Sequence, residues 1–147
     1  MEYSVRSARI TDVERVMALS GVESAAGDLL RQLVYLPHAT VLVAELRREI
    51  VGAAILAIRP SIRTGGFVGH LDLLAVGDAH DADRVTELLL EEVVRSARNK
   101  GCAVVQAPQP SDLTERARWE RLGFHEAGPQ MERDVQPAGG TGDGRTR

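Results

Sequence analysis

The chain has 147 residues, a formal net charge of −3 and one cysteine, and 44% of its residues are hydrophobic. These values are typical of one globular domain with its own core, and no apolar run is long enough to cross a membrane. The acidic balance argues against nucleic acid as a partner, and the lone Cys102 excludes an intrachain disulfide and a multi-cysteine zinc cluster. Glu2 and the lack of an apolar segment after it argue against a secretory signal, so we expect a cytoplasmic protein without a metal site.

The first third of the chain predicts one strand and two helices. Residues 3–9 alternate between apolar and polar side chains, which predicts a short strand. Apolar residues at helical spacing from Val13 predict a helix that ends at Gly21. A second helix is predicted over residues 24–33.

The middle of the chain changes to the pattern of a β-sheet. Residues 40–46 and 50–58 are rich in Val, Ile, Leu and Ala, and the polar residues 47–49 between them predict an antiparallel hairpin. Residues 59–66 contain a proline and a Gly-Gly pair, which indicates a loop. A third strand of this group is predicted over residues 68–76.

The strongest helical pattern follows. Apolar side chains recur at every fourth position from Val85 to Ala97, which predicts a helix over residues 81–100. A short apolar strand is then predicted over residues 103–107, and a last helix over residues 113–122. This order indicates a single sheet with connecting helices.

The C-terminal part is predicted to complete that sheet. Residues 124–135 are expected to supply one or two closing strands, giving six or seven strands in all. An opening is expected between residues 71–76 and residues 103–107. Residues 136–147 have no apolar side chain larger than alanine, so we expect a disordered tail after one domain over residues 1–135.

Several short segments carry a resemblance to a known family. They are Val43-Ala44-Glu45 with Val51-Gly52, Leu71 to Val76, Ala97 to Gly101, and Arg121-Leu122-Gly123-Phe124. In order and spacing they resemble the GNAT N-acetyltransferases over residues 3–135. The resemblance implies an α+β fold with a mixed, mainly antiparallel sheet and helices on both faces. It also implies transfer of an acetyl group from acetyl-CoA to an amine of a small molecule or a protein.

The cofactor loop departs from the family pattern. In this family a Gln/Arg-x-x-Gly-x-Gly/Ala loop leads into a helix whose bare N–H groups bind pyrophosphate. The corresponding residues here are His80-Asp81-Ala82-Asp83-Arg84-Val85. His80 replaces Gln or Arg, Asp83 replaces the first glycine, and Val85 adds bulk at the second small position. Asp81 or Asp83 is expected to cap the helix and to repel the pyrophosphate, with Arg84 offsetting part of the charge, so we expect weak binding of acetyl-CoA.

Two polar residues on the strand over 68–76 are candidate general bases. His70 and Asp72 would share one face by the period of two. Each also has a structural interpretation, in which His70 closes a strand end and Asp72 pairs with a surface arginine. The resemblance implies that N–H groups around Leu74 polarise the thioester carbonyl, and that Leu74, Ala75 and Val76 flank the cofactor.

Two further positions differ from what the resemblance implies. Trp119 stands where the family often has a tyrosine that meets the leaving thiolate, and an indole N–H donates a hydrogen bond but is not a useful acid. Ser111 stands where the family often has an asparagine that binds the pantetheine arm. Both differences weaken the expectation that the thiolate is protonated and the pantetheine arm is bound in the way usual for the family.

Two functions therefore stay open. One is an acetyl-CoA-dependent N-acetyltransferase with an atypical cofactor loop. The other is a non-catalytic domain of the same fold that binds a metabolite or regulates a protein partner, since a fold alone does not decide function. A homodimer formed through the last strands is compatible with either function.

Overall fold

The structure is a computed structural model and describes residues 2–78 and 81–135. Within these residues the chain forms five strands, four α-helices and a 3₁₀ turn at Ile10–Asp12. The strands are β1 Ser4–Ser7, β2 Ala39–Leu46, β3 Glu49–Ser61, β4 Gly66–Val76 and β5 Cys102–Gln106. The helices are α1 Val13–Ser20, α2 Ala26–Leu33, α3 Ala82–Asn99 and α4 Leu113–Arg121.

The five strands form one sheet in the order β1-β2-β3-β4-β5. The first four strands are antiparallel to their neighbours, and β5 runs parallel to β4. A parallel pair needs a crossover connection, and α3 supplies it. The predicted mixed, mainly antiparallel sheet is therefore confirmed.

Helices cover both faces of the sheet, as predicted. On the face under α3 and α4, the largest buried side chains include Leu56, Leu71, Leu89, Leu90 and Trp119. On the face under α1 and α2, the buried side chains include Val13, Val16, Leu30, Val43 and Ile55. The alternation of strand side chains between two buried faces explains why β2 and β3 read as continuous apolar runs.

The hairpins are tighter than the sequence indicated. Only Arg47 and Arg48 lie between β2 and β3, with φ of 54° and 71°, because a two-residue hairpin loop needs positive φ to match the strand twist. The predicted loop over residues 59–66 is wrong at both ends, since β3 extends to Ser61 and β4 begins at Gly66. Pro60 lies one residue from the end of β3, where a missing N–H disturbs the ladder least.

The predicted closing strands over residues 124–135 are wrong, and the described residues contain five strands rather than six or seven. Between Phe124 and the end of the described residues at Val135, the chain forms no regular element. Gly128 takes a φ of 102°, Pro129 has no N–H to pair, and Met131 is 100% exposed. No apolar face is available there to hold a strand on the core. The predicted tail over residues 136–147 lies outside the described residues.

Candidate functional site

The sheet opens between β4 and β5. The two strands are neighbours, as predicted, but their ladder covers only Phe67 to His70 of β4 and ends at the pair His70 and Gln106. Beyond His70, β4 continues to Val76 with a ladder partner on β3 alone. One edge of the β4 backbone over residues 71–76 therefore has no strand partner among the described residues.

A β-bulge lies at the start of this open part. Leu71 pairs with Leu56 and Leu73 pairs with Ile55, so Asp72 has no partner on β3. An extra residue in one strand breaks the alternation of side chains between the two faces. The period of two therefore no longer assigns His70 and Asp72 to one face. His70 is half-buried and Asp72 is exposed.

The first turn of α3 lies after the end of β4 and is capped as predicted. The Asp81 carboxylate accepts a hydrogen bond from the Arg84 N–H at 3.2 Å. The Asp81 N–H in turn donates to the Tyr3 hydroxyl at 3.1 Å, which connects the start of α3 to the segment before β1. Part of the donor set of this helix terminus is thus already used. His80 lies outside the described residues.

Asp83 does not cap the helix but forms an ion pair. One carboxylate oxygen lies 2.7 Å from Nη2 of Arg118 on α4. The Arg118 side chain is 8% exposed, whereas the Asp83 side chain is 69% exposed. The charge of Asp83 is therefore offset by Arg118.

Arg118 also contacts Glu115 one turn earlier on α4. Burial by itself lowers the pKa of Arg118, but the hydrogen bond to Glu115 and the nearby carboxylates outweigh burial and raise it. The arginine therefore stays charged at the interface of α3 and α4.

Arg84 and Val85 are placed differently from the expectation. Arg84 lies 3.6 Å from Glu87 on its own helix, so the offsetting charge near Asp83 comes from Arg118 instead. Val85 is fully buried against β3, where a Cβ added to Gly52 would lie 2.9 Å from its Cγ1. The Val85 side chain belongs to the core, and the idea that it adds bulk toward a ligand is wrong.

Trp119 is a core residue whose polar atom is engaged. Its side chain is 8% exposed and its ring lies 5.1 Å from the ring of Phe124. The indole N–H donates to the Glu115 carboxylate at 3.2 Å. Ser111 is exposed, and it precedes Asp112, which caps α4 by accepting the Glu115 N–H at 3.3 Å.

Sequence reasoning missed Arg118, Glu115 and Tyr3. The spacing of Glu115 and Arg118 could have indicated a pair on one helix face. No local signal could have indicated that Arg118 reaches Asp83 on another helix, or that the Tyr3 hydroxyl reaches the start of α3.

Other kinds of site have less support. Two surface depressions of about 280 and 340 Å³ lie elsewhere, one between α3 and Phe124 and one beside Thr40, and neither is lined by residues 71–76 or by the first turn of α3. The site is thus defined by the strand ladder and the helix terminus. Within residues 2–78 and 81–135, no three side chains are grouped to hold a metal ion. Burial raises the pKa of the Cys102 thiol, which suits a packing residue better than a nucleophile.

Comparison of the sequence with known protein families identifies the family of this chain. The profile of the Acetyltransferase (GNAT) family matches residues 8–124, which include β2 to β5 and all four helices. The chain belongs to the GNAT family. No helix of the described residues is long and apolar enough to span a membrane.

Solved structures share this GNAT fold at low sequence identity. A transcriptional regulator from Bacillus halodurans matches with a TM-score of 0.79 and 15% identity, covering 91% of this chain and 100% of its own. An aminoglycoside N-acetyltransferase in complex with CoA matches with a TM-score of 0.77 and 20% identity, and the match covers 92% of this chain and 96% of that enzyme's chain. Glucosamine-6-phosphate N-acetyltransferase from Arabidopsis thaliana matches with a TM-score of 0.74 and 17% identity, and the match covers 92% of this chain and 100% of that enzyme's chain. No curated protein matches the sequence significantly.

Proposed function

We propose that this GNAT domain is an acetyl-CoA-dependent N-acetyltransferase that acts on an amine of a small molecule or a protein. The observation that carries the proposal is the end of the β4–β5 ladder at His70, with the N-terminus of α3 at the end of the open strand. An unpaired strand edge suits the amides of an extended ligand arm, and a helix N-terminus suits its anionic end.

The residues present fit acetyl-CoA, although with fewer donors than a glycine-rich loop. No protein acceptor for the N–H of Ala82 or Asp83 lies within the described residues, whereas the N–H of Arg84 is taken by Asp81. These two N–H groups and the helix dipole would hold the pyrophosphate. The open edge of β4 over Leu74, Ala75 and Val76 would hold the pantetheine arm. The bound cofactor would supply the activated thioester.

The acceptor amine has to lose a proton before it can attack. We propose the imidazole of His70 as the group that accepts this proton, because it lies on β4 where the ladder ends and is half-buried. Asp72, at the bulge, is the second candidate. N–H groups around Leu74 would stabilise the charge that develops on the carbonyl oxygen.

The leaving sulfur needs a proton from another source than Trp119. The Trp119 N–H already donates to Glu115, and an indole does not act as an acid near neutral pH. We propose that solvent supplies this proton through the open side of the cleft. The expected result is slower turnover than a tyrosine acid would support.

The test combines a binding and a turnover measurement. Calorimetric titration with acetyl-CoA is expected to show binding weaker than micromolar. CoA release should then be measured with a panel of aminoglycosides, amino sugars and peptide amines. His70→Ala is expected to lower kcat by about a hundredfold. His38→Ala, which removes an exposed histidine from the segment between α2 and β2, is the matched control and should not change kcat. Equal activity of both variants would contradict the role of His70.

A non-catalytic function is the second candidate because two hydrogen-bond donors of the candidate site are already engaged. Asp81 takes one N–H of the helix terminus, and Glu115 takes the indole N–H of Trp119. Binding of acetyl-CoA without CoA release for any amine in the panel would favour this function.

A cytoplasmic location and a homodimer are further proposals. Cell fractionation tests the first, and size-exclusion chromatography with light scattering tests the second. A monomer at all concentrations would contradict the homodimer.

A further inference from the structure

The ion pair between Asp83 and Arg118 lies on the first turn of α3, where the proposed function places the pyrophosphate. We propose that Arg118 is a phosphate-binding residue and that Asp83 is its internal competitor, which the pyrophosphate of acetyl-CoA displaces. This inference rests on the proposed function.

The two partners differ in how firmly they are held. Arg118 is 8% exposed, and its Nη1 contacts the Glu115 carboxylate. The other oxygen of Glu115 accepts the indole N–H of the buried Trp119 at 3.2 Å. The guanidinium is thereby fixed from the α4 side. Only its Nη2, which faces Asp83, is available for exchange.

Asp83 is mostly exposed to solvent. Its side chain is 69% exposed, and its contact with Arg118 at 2.7 Å is the ion pair that holds it. A carboxylate in this position regains most of its hydration when the pair opens. Displacing Asp83 therefore costs little free energy. Arg118 needs another anion in its place, because a buried guanidinium without enough hydrogen-bond partners is costly.

A phosphate is a suitable replacement for the Asp83 carboxylate. A guanidinium group donates N–H hydrogen bonds to phosphate oxygens. A phosphate offers it more negative charge and more acceptor oxygens than a carboxylate does. The N–H groups of Ala82 and Asp83 belong to the same helical turn and would donate to the same anion. Two backbone N–H groups from α3 and the Arg118 guanidinium from α4 would then converge on one group.

This arrangement separates the two aspartates of the turn. Asp81 caps α3 through the Arg84 N–H, whereas one oxygen of Asp83 lies 2.7 Å from Nη2 of Arg118. If the carboxylates weaken binding only by general repulsion, removing either charge has the same effect. If Asp83 competes for Arg118, removing its charge has the larger effect.

The experiment is a calorimetric titration of four folded proteins at one ionic strength: wild type, Asp83→Asn, Asp81→Asn and Asp83→Asn/Arg118→Lys. The probes are acetyl-CoA and S-acetylpantetheine, which lacks the pyrophosphate. Asp81→Asn is the matched control, because it removes one charge from the same turn and asparagine caps a helix as well as aspartate.

We expect Asp83→Asn to tighten acetyl-CoA binding about tenfold and Asp81→Asn to tighten it at most about twofold. Neither substitution should change the affinity for S-acetylpantetheine. Arg118→Lys in the double variant should remove most of the gain, because one ammonium group cannot contact Glu115 and also present a second donor in the place of Nη2.

Each other outcome overturns the inference. Equal gains from Asp83→Asn and Asp81→Asn would show general repulsion, with the proposed function intact. An equal gain for S-acetylpantetheine would show that the effect does not act through the pyrophosphate. Failure of all four proteins to bind acetyl-CoA would overturn the proposed function together with this inference. Should the double variant fail to fold, the two single variants still decide between competition and repulsion.

Discussion

Two arginines in this molecule each hold two carboxylates, and the clusters differ in how much water reaches them. Arg6 on β1 contacts Asp12 at 2.8 Å and Glu45 at 3.2 Å, and the three side chains are 22%, 10% and 23% exposed. Arg118 on α4 contacts Asp83 and Glu115, and its Asp83 partner is 69% exposed. The same chemistry is thus enclosed in one cluster and open to solvent in the other.

The enclosed cluster has a structural role. Asp12 also accepts the Arg9 N–H at 2.7 Å, so Arg6 and Asp12 together connect β1, its neighbour β2 and the turn that leads into α1. The open cluster lies beside the proposed cofactor site. On physical grounds, an ion pair exchanges a partner for a ligand more readily where that partner can return to water at small cost.

The largest expected effect comes from removing each arginine in turn. Arg6→Met should lower the free energy of unfolding by about 3 kcal/mol, because it leaves the mostly buried Asp12 and Glu45 without their cation. Arg118→Met should lower it less, by about 1 kcal/mol, because its carboxylate partners are more exposed and become hydrated, Asp83 being 69% and Glu115 30% exposed. Urea unfolding with a common m-value measures both. Equal losses would mean that the two clusters do not differ in the way proposed.

A smaller effect is expected from crowding the turn that carries Asp83. A Cβ at Gly52 would lie 2.9 Å from Val85 Cγ1 and 3.1 Å from Leu89 Cδ1. Gly52→Ala should therefore destabilise the protein by about 2 kcal/mol and shift the start of α3 away from Arg118. Gly77→Ala is the control, because its Cβ would meet its nearest neighbours at 3.4 and 3.5 Å. Unfolding curves and acetyl-CoA titrations of both variants test this, and an unchanged affinity in Gly52→Ala would contradict the coupling.

The smallest effect is a pH dependence confined to the enclosed cluster. The hydrogen bond from Arg6 lowers the pKa of Asp12, with burial opposing and the Arg9 N–H assisting. Because the folded-state pKa is below the unfolded value of about 3.9, the stabilisation is fully present above that value and is lost as the pH falls through the folded-state pKa. At neutral pH the free energy of unfolding of the wild type should exceed that of Asp12→Asn by about 1 to 2 kcal/mol, and this difference should shrink below about pH 4.

The matched control for this measurement is Asp28→Asn. Asp28 is 90% exposed and, within residues 2–78 and 81–135, forms an ion pair with Arg31 of its own helix, so its removal should change stability little at any pH. A difference between wild type and Asp12→Asn that stays constant from neutral pH to pH 3 would contradict the assignment of the pKa shift to Arg6.

The sequence alone determined the features that depend on near neighbours in the chain. The spacing of Val85, Leu89 and Val93 predicted α3, and the polar turn between two apolar runs predicted the β2–β3 hairpin. The cap from Asp81 to the Arg84 N–H was predictable because it joins residues three positions apart. These interactions follow from the helical and strand periods, which the sequence displays directly.

Tertiary structure decided the details of the site. The bulge at Asp72 depends on the register of β4 against β3, and the missing strands after Phe124 depend on whether a segment finds a buried face. The partner of Asp83 is Arg118, which is distant in the sequence and is brought within reach only by the packing of α4 on α3. Charge and residue type are written in the sequence, but the distance between two charges and their exposure to water are set by packing, and those two quantities determine whether an ion pair is structural or exchangeable.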